Sequence, residues 1–357
     1  MKRVIVFSLV LAAACSDALE KTSSAGQVIG VVNASDRTLS LVSATDFTVS
    51  TRDWQRPAAT PNTIDGRANV FVVPLGQADA VAVDRLPPPC PPGALCVSPD
   101  HVWPLSPGSG ATGVAIQDDS IAWIANPDRN TVTRLNYANG DTARVAVGVY
   151  PQAVVMVGTR VLVVNSNLVG GSPAGPSWLS SFDCCSGVGT VDSIALTGVN
   201  ARFGVLGDDS LLYVIASGHP LAADGKLSIV DPNTRVELAV LNGLGESPGP
   251  AAFHPTGSRL LIASANEGIL EVNTSTRAVT RGPGTGNEIK PGGHGVRGLA
   301  IDLRGRIYAV EAGPTPPEFC AVGPGVVHVL TAPPDYHEIR TVTVGLCPTT
   351  AAVAATQ

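Results

Sequence analysis

The chain of 357 residues carries 23 Lys and Arg against 29 Asp and Glu, for a formal net charge of −6, and 44% of it is hydrophobic. A hydrophobic share of that size, spread along the whole length, excludes a disordered chain, and mild acidity without a basic run gives no support for nucleic-acid binding. The 38 Gly and 29 Pro fit an all-β chain punctuated by turns and long enough for a large core.

The N-terminus reads as an address. Lys2 and Arg3 precede an apolar run at 4–14, which has secretory length and is too short to cross a bilayer. Residues 1–14 are therefore assigned as a signal peptide. The run ends in Leu11-Ala12-Ala13-Ala14-Cys15, followed by Ser16 and Asp17. Small residues before a single Cys resemble the lipobox of bacterial lipoproteins, although Leu11 stands one place further from the Cys than is usual. The resemblance implies a lipid on Cys15 as the first residue of the mature protein, and the Ser after it implies the outer membrane. Residues 15–26 are small and polar and form a flexible tether.

From residue 27 onward one unit recurs. Its clearest copy is 251–277, where the apolar run 251–254 is followed by the turn Pro255-Thr256-Gly257. The runs 260–263 and 269–272 come next, separated by Asn266-Glu267-Gly268. Turns this short make the unit an antiparallel meander. A short turn before an apolar strand appears again at 66–73, 119–125, 159–164, 209–215 and 305–310. Successive strand starts lie about 40–50 residues apart, the spacing of four-stranded propeller blades.

Taken in order, blade 1 has strands at 28–32, 38–42 and 47–50, and lacks an innermost strand. Blade 2 takes 60–64, 70–73, 80–84 and 102–105; blade 3 takes 113–116, 121–125, 131–135 and 143–147. Blade 4 takes 153–157, 161–165, 178–182 and 191–195; blade 5 takes 203–206, 211–216, 226–230 and 236–241. Blade 6 takes 251–254, 260–263, 269–272 and 278–281; blade 7 takes 298–301, 307–310, 326–330 and 339–344. The apolar segment 349–355 is left over. It supplies the strand that blade 1 lacks and so closes the ring without an exposed edge. The expected fold is an all-β, seven-bladed β-propeller over 27–357, closed by pairing the C-terminal strand into the N-terminal blade.

Six Cys follow Cys15, an even number in an exported chain. Cys90 and Cys96 bracket a Pro-rich loop and form a local pair. Cys320 and Cys347 form the second pair, because both fall on the same end of the ring. The adjacent Cys184 and Cys185 either bond to each other, bond elsewhere or stay reduced. With no Cys-x-x-Cys and no His at ligand spacing, no metal site is assigned to these Cys.

The segments FHPTGSRLLIASAN at 253–266, LSIVDPNTR at 227–235 and DDSIAWIANPDRNTVTRLNYANG at 118–140 resemble the repeats of YVTN- and NHL-type propellers. The shared chemistry is that of turns and strands, so the resemblance implies architecture and no activity.

In such a ring the loops between strands 2 and 3, and those joining blades, share one end. Long excursions collect there, at 165–177, 217–225, 243–250, 282–295 and 311–325, where binding residues are expected. Four ionisable residues on this end, His219, Asp224, His294 and Glu311, are the candidates to converge on an active site. Two His and two carboxylates suit a divalent ion or general acid–base work. Propeller lactonases and streptogramin-type lyases use such a constellation in this place, which sets the alternative reading. Trp178 is a candidate ligand anchor, His254 a turn residue, and His328 a partly buried, hydrogen-bonded strand residue. His101 and His337 fall at surface strand ends. The primary expectation is a non-catalytic envelope module without a cofactor. It would bind a protein or small-molecule ligand.

Overall fold

The structure, a computed structural model, describes residues 26–86, 101–185, 190–311 and 323–355. The signal segment, Cys15, the tether up to residue 25, Cys90, Cys96 and Cys320 lie outside these residues. Among the described residues the strands form seven four-stranded antiparallel sheets and one two-stranded hairpin.

Blade 1 contains Gln27–Asn33, Thr38–Ser43 and Val49–Asp53, with Pro348–Ala355 on its inner edge. Blade 2 contains Asp65–Arg67, Val70–Pro74, Ala80–Arg85 and His101–Pro104; blade 3 contains Val114–Ile116, Ile121–Asn126, Thr131–Asn136 and Thr142–Ala146. Blade 4 contains Pro151–Val157, Arg160–Asn165, Pro176–Asp183 and Asp192–Val199; blade 5 contains Ala201–Leu206, Leu212–Ala216, Lys226–Asp231 and Val236–Leu241. Blade 6 contains Pro248–Phe253, Arg259–Ser264, Gly268–Asn273 and Ala278–Arg281; blade 7 contains Val296–Ile301, Ile307–Glu311, Pro324–Leu330 and Glu338–Leu346.

The expected closure is present. Gln27 pairs with Ala355, Ile29 with Val353 and Val31 with Ala351, antiparallel along the whole strand. The C-terminal strand then touches the inner strands of blades 7 and 2, so the seven inner strands meet in a closed ring. Gly66 on the inner strand of blade 2 explains one tight join. A Cβ there would strike the carbonyl oxygen of Val353, so only glycine admits the closing strand at that distance.

The packing accounts for the continuous apolar runs. Seven buried clusters lie between successive blades, and each middle strand feeds two of them. In blade 1, Ile29 and Val31 face blade 7, while Val32 and Leu39 face blade 2. A sheet buried on both faces needs apolar residues at consecutive positions, not alternate ones. Leu162 and Val164 face blade 5 while Val161 and Val163 face blade 3, repeating the arrangement.

The inner strands of five blades differ in their bounds from the sequence reading. Residues 60–64 are loop, and the inner strand of blade 2 is Asp65–Arg67. Pro61 has no amide proton to give a ladder, and Thr63 instead donates its hydroxyl to the Thr112 carbonyl at 2.8 Å. The inner strands of blades 4 to 7 also start earlier than their apolar runs. Each carries a register shift just inside its first residue, at Gln152, Arg202, Gly249-Pro250 and Arg297. These polar or conformationally special residues occupy bulges, which apolar patterning does not mark.

Candidate functional site

The described excursions, at 165–177, 217–225, 243–250 and 282–295, leave one end of the ring. The 165–177 loop carries the small hairpin Leu168–Val169 with Ser172–Pro173. At its tip Val169 is 64% exposed, and on the neighbouring blade Leu221 is 90% exposed. These are the two most exposed large hydrophobic side chains among the described residues. Leu221 also holds a φ of 62°, a left-handed conformation that branched aliphatic residues rarely adopt. No packing contact explains it, because the side chain stands in solvent.

The four candidate residues form two separate pairs. In the blade 5 loop, Asp224 accepts the His219 backbone N–H at 2.9 Å, and its second oxygen lies 2.7 Å from His219 Nδ1. Burial pushes the Asp224 carboxyl up, but the hydrogen bonds from His219 outweigh this and leave it below its usual value. Gly218, at φ 79°, leaves the space this carboxylate fills. In blade 7, His294 Nε2 lies 3.7 Å from Glu311 Oε1. The four do not meet as a ligand set. The single metal-compatible cluster of His, Cys, Asp or Glu among the described residues is Asp183, Cys184 and Cys185.

Glu311 has a second partner. Its Oε2 lies 3.1 Å from Nε2 of the buried His328, whose Nδ1 lies 2.7 Å from Glu338 Oε2. A carboxylate only accepts, so both contacts are hydrogen bonds when both ring nitrogens carry protons. His294, Glu311, His328 and Glu338 thus form a polar chain through the interface of blades 6 and 7. Beside it lies a cleft of about 380 Å³, with Arg281, Glu288, Lys290, Asp335, Tyr336 and Glu338 in its wall. Gly292 packs against the His328 ring, at φ 62° and without room for a Cβ.

The position of this chain in the repeat is informative. In blades 1, 3 and 4 the second strand ends in Asn, whose amide donates to a Ser or Thr on the third strand. Asn33 reaches Ser40 at 2.9 Å, Asn126 reaches Thr133 at 2.9 Å and Asn165 reaches Ser180 at 3.0 Å. Val310 pairs with Val327, so Glu311 and His328 occupy the equivalent places in blade 7. An ionisable pair has replaced a neutral one. The Asn at the end of an apolar run, as in Val31-Val32-Asn33 and Val163-Val164-Asn165, was a sequence signal for this position that strand counting passes over.

Arg202 was not singled out by sequence. It sits in the bulge at the loop-bearing end of the blade 5 inner strand, and its Nε is buried without a hydrogen-bond partner. Burial pushes its pKa down, against a smaller upward influence of Tyr150.

The remaining candidates divide. Trp178 is strand, paired with Asn165, and is half-buried. His254 is buried, not merely a turn residue, with Nε2 3.0 Å from the Gly305 carbonyl and Nδ1 2.7 Å from the Thr256 hydroxyl. His101 stacks on Trp103 with ring centroids 3.9 Å apart. Cys184 and Cys185 are bonded to each other. Cys347 is itself half of a disulfide, and Cys320, the partner expected for it, lies outside the described residues.

No family model and no curated protein matches the chain. Among solved structures, it is similar to hydrazine synthase of Kuenenia stuttgartiensis, with TM-score 0.64 and 12% identity over 84% of this chain and 90% of that one. It is also similar to a functionally unknown protein from Desulfotomaculum acetoxidans DSM 771, with TM-score 0.65 and 10% identity over 92% of this chain and 99% of that one. At such identities the likeness shows the propeller fold alone.

Proposed function

We propose that this is a non-catalytic binding propeller of the cell envelope, exported and held by a lipid on Cys15, which captures its partner on the loop-bearing end. The observation that carries this reading is the pair of apolar tips, Val169 and Leu221, on the corresponding loops of adjacent blades. Apolar side chains kept in water at loop tips, one of them on a strained backbone, serve a contact surface better than they serve the fold. Arg202 lies at the same end of blade 5 with its Nε unsatisfied. The side chain is half-buried, lies against the Phe203 ring and has no ion pair among the described residues, so an anionic group on the ligand would complete the site.

The test is site-specific photocrosslinking in the native host. A probe at Leu221 or Val169 is expected to give discrete adducts that Arg202→Gln weakens. A probe at Leu303, 43% exposed in the first hairpin turn of blade 7 at the other end of the ring, is expected to give none. Equal labelling from Leu303, or no adduct from either loop tip, refutes the reading. Lipid labelling lost in Cys15→Ala tests the anchor separately.

The chain His294–Glu311–His328 favours a second reading, a hydrolase or lyase using His294 as base and Glu311 as its orienting carboxylate. A divalent ion bound in stoichiometric amount and lost in His294→Ala would support its metal-dependent form.

A further inference from the structure

The disulfide between Cys184 and Cys185 joins adjacent residues and closes no stretch of chain. It therefore gives none of the unfolded-state constraint through which long-range disulfides stabilise a fold. Its surroundings are ordered. Cys184 donates its N–H to the Thr159 carbonyl at 2.8 Å, and Cys185 donates to Asp183 Oδ1 at 2.9 Å. The Thr159 hydroxyl donates to Asp183 Oδ2 at 3.0 Å, and the Gln117 amide nitrogen lies 4.0 Å from Cys185 Sγ. One oxygen of Asp183 and both sulfurs fall within 4.8 Å of one another. Cys185 is exposed and Cys184 half-buried, at the end of a regular strand in blade 4.

We propose that Asp183, Cys184 and Cys185 form a redox-gated site for a thiophilic divalent cation such as Zn²⁺ or Cd²⁺. In the disulfide state the sulfur lone pairs are poor ligands and the site is closed. A dithiol reductant supplies two electrons and two protons; the Cys184–Cys185 bond breaks, two thiols form, and the reductant closes its own disulfide. On binding, the two thiols release two protons to solvent. The cation then bonds two thiolate sulfurs and one oxygen of Asp183. Two sulfurs and one oxygen leave a fourth tetrahedral position open, as in exchangeable rather than structural sites. The Gln117 amide, facing Cys185, favours the thiolate. This site lies on the end of blade 4 opposite the long loops, so it stands or falls independently of the partner-binding reading.

The test is a Cd²⁺ titration of the full mature protein, before and after reduction and desalting, read by thiolate-to-cadmium absorbance and by proton release. Reduced wild type is expected to bind one more equivalent than the reduced Cys184→Ser/Cys185→Ser variant, which corrects for the other cysteines. The same additional equivalent is expected to be absent from oxidised wild type, and Asp183→Asn, which removes a direct ligand, is expected to weaken it by at least the roughly tenfold that losing an outer-shell partner costs. Cys185→Ser alone, at an exposed position, guards against misfolding of the double variant, with circular dichroism as the check. Equal binding by reduced wild type and reduced Cys185→Ser overturns the proposal, as does equal binding by oxidised and reduced wild type.

Discussion

Replacing Asp65 with asparagine is expected to tilt the dependence of stability on pH. Asp65 lies on the inner strand of blade 2 and keeps only partial access to solvent. Its oxygens accept the Ile116 N–H at 2.7 Å and the Gly66 N–H at 2.9 Å. Burial nevertheless dominates and raises the carboxyl from 3.8 to about 6, with these two hydrogen bonds and Arg67 opposing it. The folded state thus holds the proton more tightly than the unfolded chain. Stability from this group is fully present below 3.8 and is lost as pH rises through about 6. The whole loss amounts to at most about 3 kcal/mol. Asparagine stays neutral, so it forfeits the pH dependence. It also turns one acceptor into a donor facing a backbone N–H, a penalty that does not vary with pH. Denaturant unfolding of both proteins from pH 4 to 7.5 at constant ionic strength measures the difference. Wild type is expected to lose up to about 3 kcal/mol relative to Asp65→Asn across that range. Parallel curves, or a wild type that gains relative to the variant, would refute the argument from burial.

His254 carries the opposite sign. Burial lowers its pKa below 6.5, so its contribution is present above 6.5 and lost as pH falls; His254→Gln is expected to flatten the acid limb of the same unfolding curves. Ring closure is tested by Ala351→Asp, which places an unpaired charge in the buried cluster between blades 7 and 1. An expected cost of about 3 kcal/mol or more, against about 0.5 kcal/mol or less for the exposed Leu303→Asp, is read as a shift in denaturation midpoint. Glu311→Ala leaves the buried His328 Nε2 without its acceptor and is expected to cost about 1–3 kcal/mol. His219→Ala, removing a side chain 56% exposed, is expected to stay within about 0.5 kcal/mol; equal costs would refute the distinction between the two pairs.

How much was legible in the sequence depends on the range of the signal. The second and third strands of every blade lie within two residues of the apolar runs that mark them, because both faces of each strand are buried and the runs are continuous. The inner strands were found less well. Gln152, Arg202 and Arg297 interrupt the apolar pattern, and the bulges that accommodate them depend on the ring behind them. At the candidate site, Glu311 and His294 were matched from loop position alone and do meet. His219 and Asp224 meet each other instead of joining them. His328 was read as a hydrogen-bonded strand residue, and it is one, but its partners Glu311 and Glu338 come from the strands on either side.

The linear chain by itself determined the number of blades and the origin of the strand that closes the ring. Apolar runs and turns are short-range chemistry, and a leftover strand must pair with the one sheet that lacks it. Only the tertiary structure decided which polar groups share a site. The Glu311–His328 contact depends on the register between strands, and the buried, unsatisfied Nε of Arg202 depends on a bulge seated in a closed ring. Each is fixed by side chains distant in sequence packing to a common geometry, which a periodic pattern does not encode.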